Sequence, residues 1–108
     1  MKYIQKILQN FKLWFSKSYN VKQLNDFPEP VEPKIIYVVG TAKQAWLIVF
    51  ICPCGCNETI QLNLLREARP RWNFKLNWNN TITINPSVRR SKGCKSHFNI
   101  RNSKVVWW

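Results

Sequence analysis

Carboxylates are scarce in this sequence. Five Asp and Glu face seventeen Lys and Arg over 108 residues, a formal net charge of +12. That balance points to a partner of negative charge: nucleic acid, an anionic membrane surface or an acidic protein. Long apolar runs are missing too. The longest, "AWLIVFIC" (45–52), has strand length and stops at Pro53, well short of the roughly 18 residues of a membrane-spanning helix. The start, "MKYIQKILQNFKLWFSKS", lacks the unbroken apolar stretch and small-residue cleavage site of a secretory signal. The expectation is a cytoplasmic protein without a transmembrane segment. In a reducing compartment clustered cysteines bind metal or do chemistry more often than they pair. There is no internal repeat. Aromatics, by contrast, are plentiful, with six Trp, six Phe and three Tyr, which excludes a disordered chain. The length fits one domain, small enough to gain from a metal or disulfide staple.

The hydrophobic period changes along the chain. Ile4, Ile7, Leu8, Phe11, Trp14 and Phe15 form one stripe of a 3.6-residue helix, with Lys2, Lys6, Lys12 and Lys17 off it. Residues 1–24 are therefore expected as a basic amphipathic helix. It packs on its own domain or a partner; the sharper alternative is contact with a membrane surface. "NDFPEPVEP" (25–33) holds three prolines and three of the five acids, and reads as an extended Pro-rich linker. From residue 34 onward the period is that of strands. "KIIYVV" and "AWLIVFI" predict a hairpin turning near Gly40, and "ETIQLN" resumes the alternation. "RWNFKLNW" and "TITIN" predict a second hairpin across Asn79 and Asn80, and "SHFNI" and "KVVWW" a third. "LLREAR" (64–69) alone suggests a short helical turn. The predicted fold is mainly β: a small, zinc-stapled antiparallel domain over 34–108 behind an N-terminal helix.

The chemistry concentrates in two stretches. "CPCGC" (52–56) carries Cys52, Cys54 and Cys56; "GCKSHF" (93–98) carries Cys94 and the single histidine, His97. Zinc takes four sulfur or nitrogen ligands in a tetrahedron. On a straight strand the first three thiols would spread over roughly 13 Å, too far for one ion. Pro53 and Gly55 permit a curled turn in which they converge. That leaves five candidate ligands for four positions, so either one cysteine or His97 is spare. The bland alternative, a buried apolar cysteine cluster without metal, fits poorly with three thiols in five residues.

His97 itself reads as an ordinary polar residue, a zinc ligand through its C-x-x-H spacing, or a free base. Ser87, in "NPSV", is by default a turn hydroxyl. Ser96 neighbours His97, and adjacent side chains on a strand point to opposite faces, which makes Ser87 the better partner. Glu58 is the acid nearest the site in sequence. Serine chemistry needs a hydroxyl, a base and a group to orient the base. Ser87, His97 and Glu58 supply those types, although their spacing alone does not point to them.

The stretch from "FPEPVEPKIIYVVG" through "AWLIVFICPCGCNETIQLNL", then "RW", "TITINPSV" and "GCKSHFNIRNSKVVWW", resembles the BubE-like family of small proteins from bacterial ubiquitination-like operons. The resemblance covers most of residues 27–108. It implies a serine-type peptidase, similar in role to deubiquitinases, that releases a ubiquitin-like protein from its targets. It also implies Cys52, Cys54, Cys56 and Cys94 as zinc ligands, a ubiquitin-like protein and its E2-like or target conjugates as partners, and Ser87, or Ser96, with His97 at the catalytic positions. Asn57 stands where a glycine is expected, and Asn99 where a large aromatic is expected.

Two other readings compete. From Gln61 onward ten Lys or Arg meet one acid and are interleaved with Trp72, Phe74, Trp78 and Phe98. A non-catalytic basic module binding nucleic acid, or another protein partner, is therefore the alternative. A zinc hydrolase would need an open coordination position, and a thiolate-rich zinc is usually closed.

Overall fold

Alternation of apolar and polar residues decides this fold, strand by strand. The computed structural model describes residues 19–41, 43–91 and 93–108. They form β1 (Asn20–Leu24), β2 (Ile35–Gly40), β3 (Ala45–Ile51), β4 (Thr59–Asn63), β5 (Asn73–Leu76), β6 (Ile82–Arg89), β7 (His97–Arg101) and β8 (Lys104–Trp107). The first sheet has the order β1-β2-β3-β4 and the second β5-β6-β7-β8. All neighbours run antiparallel except β1 and β2, which pair in parallel with Asn20 opposite Ile35.

Every second residue of each strand enters one shared core. Ile36, Val38, Ile48, Phe50, Ile60 and Leu62 come from the first sheet; Ile82, Ile84, Val88, Phe98, Ile100 and Val105 come from the second. Phe50 meets Phe98 edge to face across the gap, with ring centroids 6.3 Å apart. Burying each such side chain contributes about 1.5–3 kcal/mol, so these dozen positions hold the two sheets face to face.

The intervening positions separate the sheets' fates. On β2 and β3 they are also apolar: Tyr37, Val39 and Val49 form a second cluster, with Leu24, Val31, Ile35 and Leu47 packed against it. Val31 belongs to the proline-rich stretch, whose Glu32 N–H donates to Tyr37 Oη at 3.1 Å. That stretch is the crossover from β1 to β2, lying on the sheet. Residues 20–24, expected in the N-terminal helix, are instead strand β1, because Asn20–Leu24 find a ladder on β2. The sheet thus begins before residue 34. The helical stripe expected earlier in the chain lies outside the described residues. Residues 64–69 close a single turn, Ala68 N–H to Leu65 C=O at 3.1 Å, without becoming helical.

The three expected hairpins are present. Asn80 takes φ 62° in the longer β5–β6 turn, which Asn77 N–H closes on the Thr81 carbonyl at 2.8 Å. Asn102 and Ser103 take φ 50° and 63° between β7 and β8, as a two-residue turn of this hand requires. Ser103 is fully buried. Its Oγ accepts from the Ile82 N–H at 2.9 Å, and its own N–H donates to the Ile82 carbonyl at 2.6 Å. The last hairpin is thereby pinned to the start of β6.

Candidate functional site: a thiol cluster beside a serine–histidine pair

The loop from β3 to β4 is where the first sheet reaches the second. Cys52 N–H donates to the Glu58 carbonyl at 2.8 Å and closes that loop. Within it Gly55 adopts φ 97°, a conformation that side chains resist, and the chain curls so that alternate thiols converge. Asn57 sits at φ 65°, which accounts for a glycine being expected there: asparagine is among the few other residues that tolerate this region. From the opposite side the β6–β7 loop brings Cys94. The four sulfurs lie within 4.8 Å of one another, with Cys52 Sγ 3.5 Å from Cys54 Sγ and 3.7 Å from Cys94 Sγ. Tetrahedral zinc with sulfurs at about 2.3 Å spaces them about 3.8 Å apart. These thiols are unpaired, and their spacing is that of a metal site rather than of disulfides. The cluster can hold a metal ion. Burial, above all, pushes the Cys52 thiol up to about 12. Hydrogen bonds from the Ser96 side chain and backbone hold Cys94 down to about 6.

Ser87 and His97 meet a short way along the same hairpin. The register of β6 against β7 shifts between Ile84 and Val88, a bulge of the kind that re-aims side chains beside functional sites. Past it Ser87 Oγ lies 2.9 Å from His97 Nε2. With the ring proton on Nδ1, Nε2 accepts from the serine hydroxyl. Both residues are half-buried. Ser96 points elsewhere, onto the Cys94 sulfur.

Glu58 does not join this pair. Its Oε1 accepts from Arg90 Nη2 at 2.6 Å, and Gly93 leaves room for the carboxylate, since a Cβ there would lie 3.0 Å from Oε1. Among the described residues no hydrogen bond links Glu58 to His97. The imidazole is held by an aromatic instead: Trp108 stacks on it with centroids 4.7 Å apart and planes 8° from parallel. The Trp108 N–H donates to the His97 carbonyl at 2.9 Å, and its indole Nε1 donates to Asn99 Oδ1 at 3.4 Å. Trp72 Nε1 in turn donates to the Ser87 carbonyl at 3.3 Å. Neither tryptophan was singled out for this work by the sequence. Trp72 stood out only as an aromatic among cations, and Trp108 carried no signal beyond its place in "VVWW".

A small two-sheet β protein whose thiol cluster braces a serine–histidine pair is, by fold and site, a candidate hydrolase of the serine type. The sequence model of one family, described as the bacterial ubiquitination-like system serine protease (BubE), matches residues 23–108. The chain belongs to that family. No curated protein and no solved structure matches it.

Proposed function

We propose that this protein is a serine peptidase that releases a ubiquitin-like protein from its conjugates, with Ser87 as nucleophile and His97 as base. The observation that carries this reading is the 2.9 Å contact between Ser87 Oγ and His97 Nε2, in a chain whose family is one of serine proteases. In the mechanism Ser87 Oγ attacks the carbonyl carbon at the modifier's end while its proton passes to His97 Nε2. The tetrahedral intermediate collapses as the imidazolium returns that proton to the departing amine. Water then repeats the sequence on the acyl-serine, giving up its proton to His97 and restoring the hydroxyl.

Catalytic serines usually pair with a histidine that a carboxylate orients. Here Trp108 does the orienting, by stacking, and its π face favours the imidazolium that forms during the reaction. Trp72 fixes the backbone that presents Ser87. Glu58 serves the frame through Arg90. The four cysteines hold a structural zinc, whose closed thiolate shell leaves no position for substrate. It ties the β3–β4 loop to the loop that ends in His97.

The aromatics that suggested a nucleic-acid surface support this choice by where they lie. Phe98 is fully buried, and Phe74 and Trp72 pack against the core; of the four only Trp78 is exposed, and one ring does not make a run of stacking sites. The test is cleavage of a ubiquitin-like conjugate by purified protein. Ser87→Ala should lower the rate by at least about 10³-fold with fold and metal content unchanged. Ser96→Ala should cost far less, because that hydroxyl faces a thiol. The opposite pattern would overturn the assignment of the nucleophile.

A further inference from the structure

The second sheet contains no acid. From Asn73 to the last residue the sequence has no Asp or Glu. The core-facing set of this sheet is Phe74, Leu76, Ile82, Ile84, Val88, Phe98, Ile100 and Val105, so the alternate residues face outward. The outward set includes Lys75, Arg89, Arg101 and Lys104, all exposed, together with Ser87 and His97. Arg89 is directly opposite His97, and Arg101 is directly opposite Lys104. The Arg101–Lys104 pair sets like charges face to face, which destabilises a sheet, and among the described residues no carboxylate side chain of these strands offsets them.

The far side of the molecule is different. Three of the five acids, Asp26, Glu29 and Glu32, lie in the crossover, whose Val31 covers the outer face of the first sheet. Charge is therefore sorted by face. Three acids gather on one side, and the outward strand positions around the serine–histidine pair carry cations alone; of the other two acids, Glu58 pairs with Arg90 and Glu67 lies in the β4–β5 connection.

We infer that the outer face of the second sheet docks an acidic protein segment that flanks the bond to be cleaved. The inference rests on the Ser87–His97 reading, since that pair places the reacting carbonyl on this face, where β6 ends and β7 begins. Complementary charge of this kind raises the encounter rate and selects partners, and it weakens as salt rises. A polypeptide is favoured over nucleic acid because the chemistry proposed on this face is acyl transfer, and because Trp108, the large aromatic beside it, is already stacked on His97.

The test uses full-length protein carrying Ser87→Ala and two fluorescent peptides, identical except that three Glu in one are Gln in the other. Anisotropy should show the Glu peptide binding at least about 10-fold more tightly in low salt, with the preference fading by 0.5 M salt as screening shortens. The triple change Lys75→Glu, Arg101→Glu, Lys104→Glu should abolish the preference. An equal change in net charge elsewhere, Lys22→Glu, Lys43→Glu, Arg66→Glu, should retain most of it, which separates a local face from bulk charge. Circular dichroism of each variant checks folding. Equal affinity for the two peptides, or equal loss in both triple variants, overturns the inference. So does a single-stranded oligonucleotide that binds more tightly than the Glu peptide at every salt concentration. Labelling of Ser87 in the wild-type protein by a neutral fluorophosphonate reports separately on the serine reading. If that labelling fails while the peptide preference holds, the docking face stands and the catalytic assignment falls.

Discussion

The two sheets are built alike and used differently. Each has four strands in sequential order and gives one face to the common core. The first buries part of its other face as well, where Val31 of the crossover packs on Tyr37, Val39 and Val49; β2 and β3 are thus apolar on both sides, while β4 turns Thr59, Gln61 and Asn63 to solvent. The second leaves its other face open and polar, with Ser87 and His97 in contact upon it. A sheet covered on both sides has little freedom to vary and makes a good scaffold. An open sheet backed by such a scaffold can hold reactive side chains on rigid strands while substrate approaches freely. The thiol cluster and the Glu58–Arg90 pair both cross from the first sheet's loop to the second sheet's hairpin. The working face thus takes its rigidity from the covered one.

Removing the metal should break this division most severely. Structural zinc in small sites contributes on the order of 10 kcal/mol to folding, comparable with the whole stability of a domain this size. Chelation, or Cys52→Ser, is expected to lose the cooperative thermal transition along with activity. Metal analysis of the folded protein should find about one zinc per chain. Because burial pushes Cys52 up to about 12, its thiol is protonated at neutral pH until metal displaces the proton. Loading should therefore release protons, and affinity should fall as pH falls. Folded protein that contains no metal and ignores chelators would show that the two sheets hold together by apolar packing alone.

Trp108 tests the open face without touching the frame. It is 74 % exposed, so its loss should leave the thermal midpoint nearly unchanged. If stacking keeps the imidazole in register, Trp108→Ala should lower kcat about 10–100-fold and Trp108→Phe should recover much of that. A change in KM alone would make Trp108 a substrate contact instead.

Most of the frame was legible in the sequence, and the reason is its period. Runs such as Ile35–Val39 and Ala45–Ile51 alternate between two apolar faces, and turn residues such as Asn80 and Asn102 mark where the chain reverses. Cysteines at alternate positions around Pro53 and Gly55 announced a curled loop whose thiols converge and can hold a metal ion. What the sequence hid was contact over distance. A strand at 20–24 has too little pattern of its own, and its parallel partner lies beyond a crossover. Trp108 sits on His97 only because Trp107 pairs with Phe98 in the ladder, a register that no local motif encodes. Glu58, nearest to the site in the chain, was drawn to a cation instead.

That last displacement gives the smallest expected effect and a sharp one. The Glu58–Arg90 contact is short, 2.6 Å, but the carboxylate side chain is 50 % exposed, and such pairs contribute about 0–1 kcal/mol. Glu58→Gln keeps a hydrogen-bond acceptor for Arg90 Nη2 while removing the charge. It should shift the denaturant midpoint slightly and leave conjugate cleavage within about twofold of wild type. Glu58→Ala should cost more stability, because Arg90 Nη1 is already buried without a partner and the guanidinium would then lose its one carboxylate as well. In a triad the carboxylate holds the histidine's tautomer, and replacing it with an amide costs about 10⁴-fold in kcat with the fold intact. A loss of that size in Glu58→Gln would mean that the carboxylate swings from Arg90 to His97 when substrate binds. The covered sheet would then contribute a catalytic group, and the line between scaffold and working face would have to be redrawn through the β3–β4 loop.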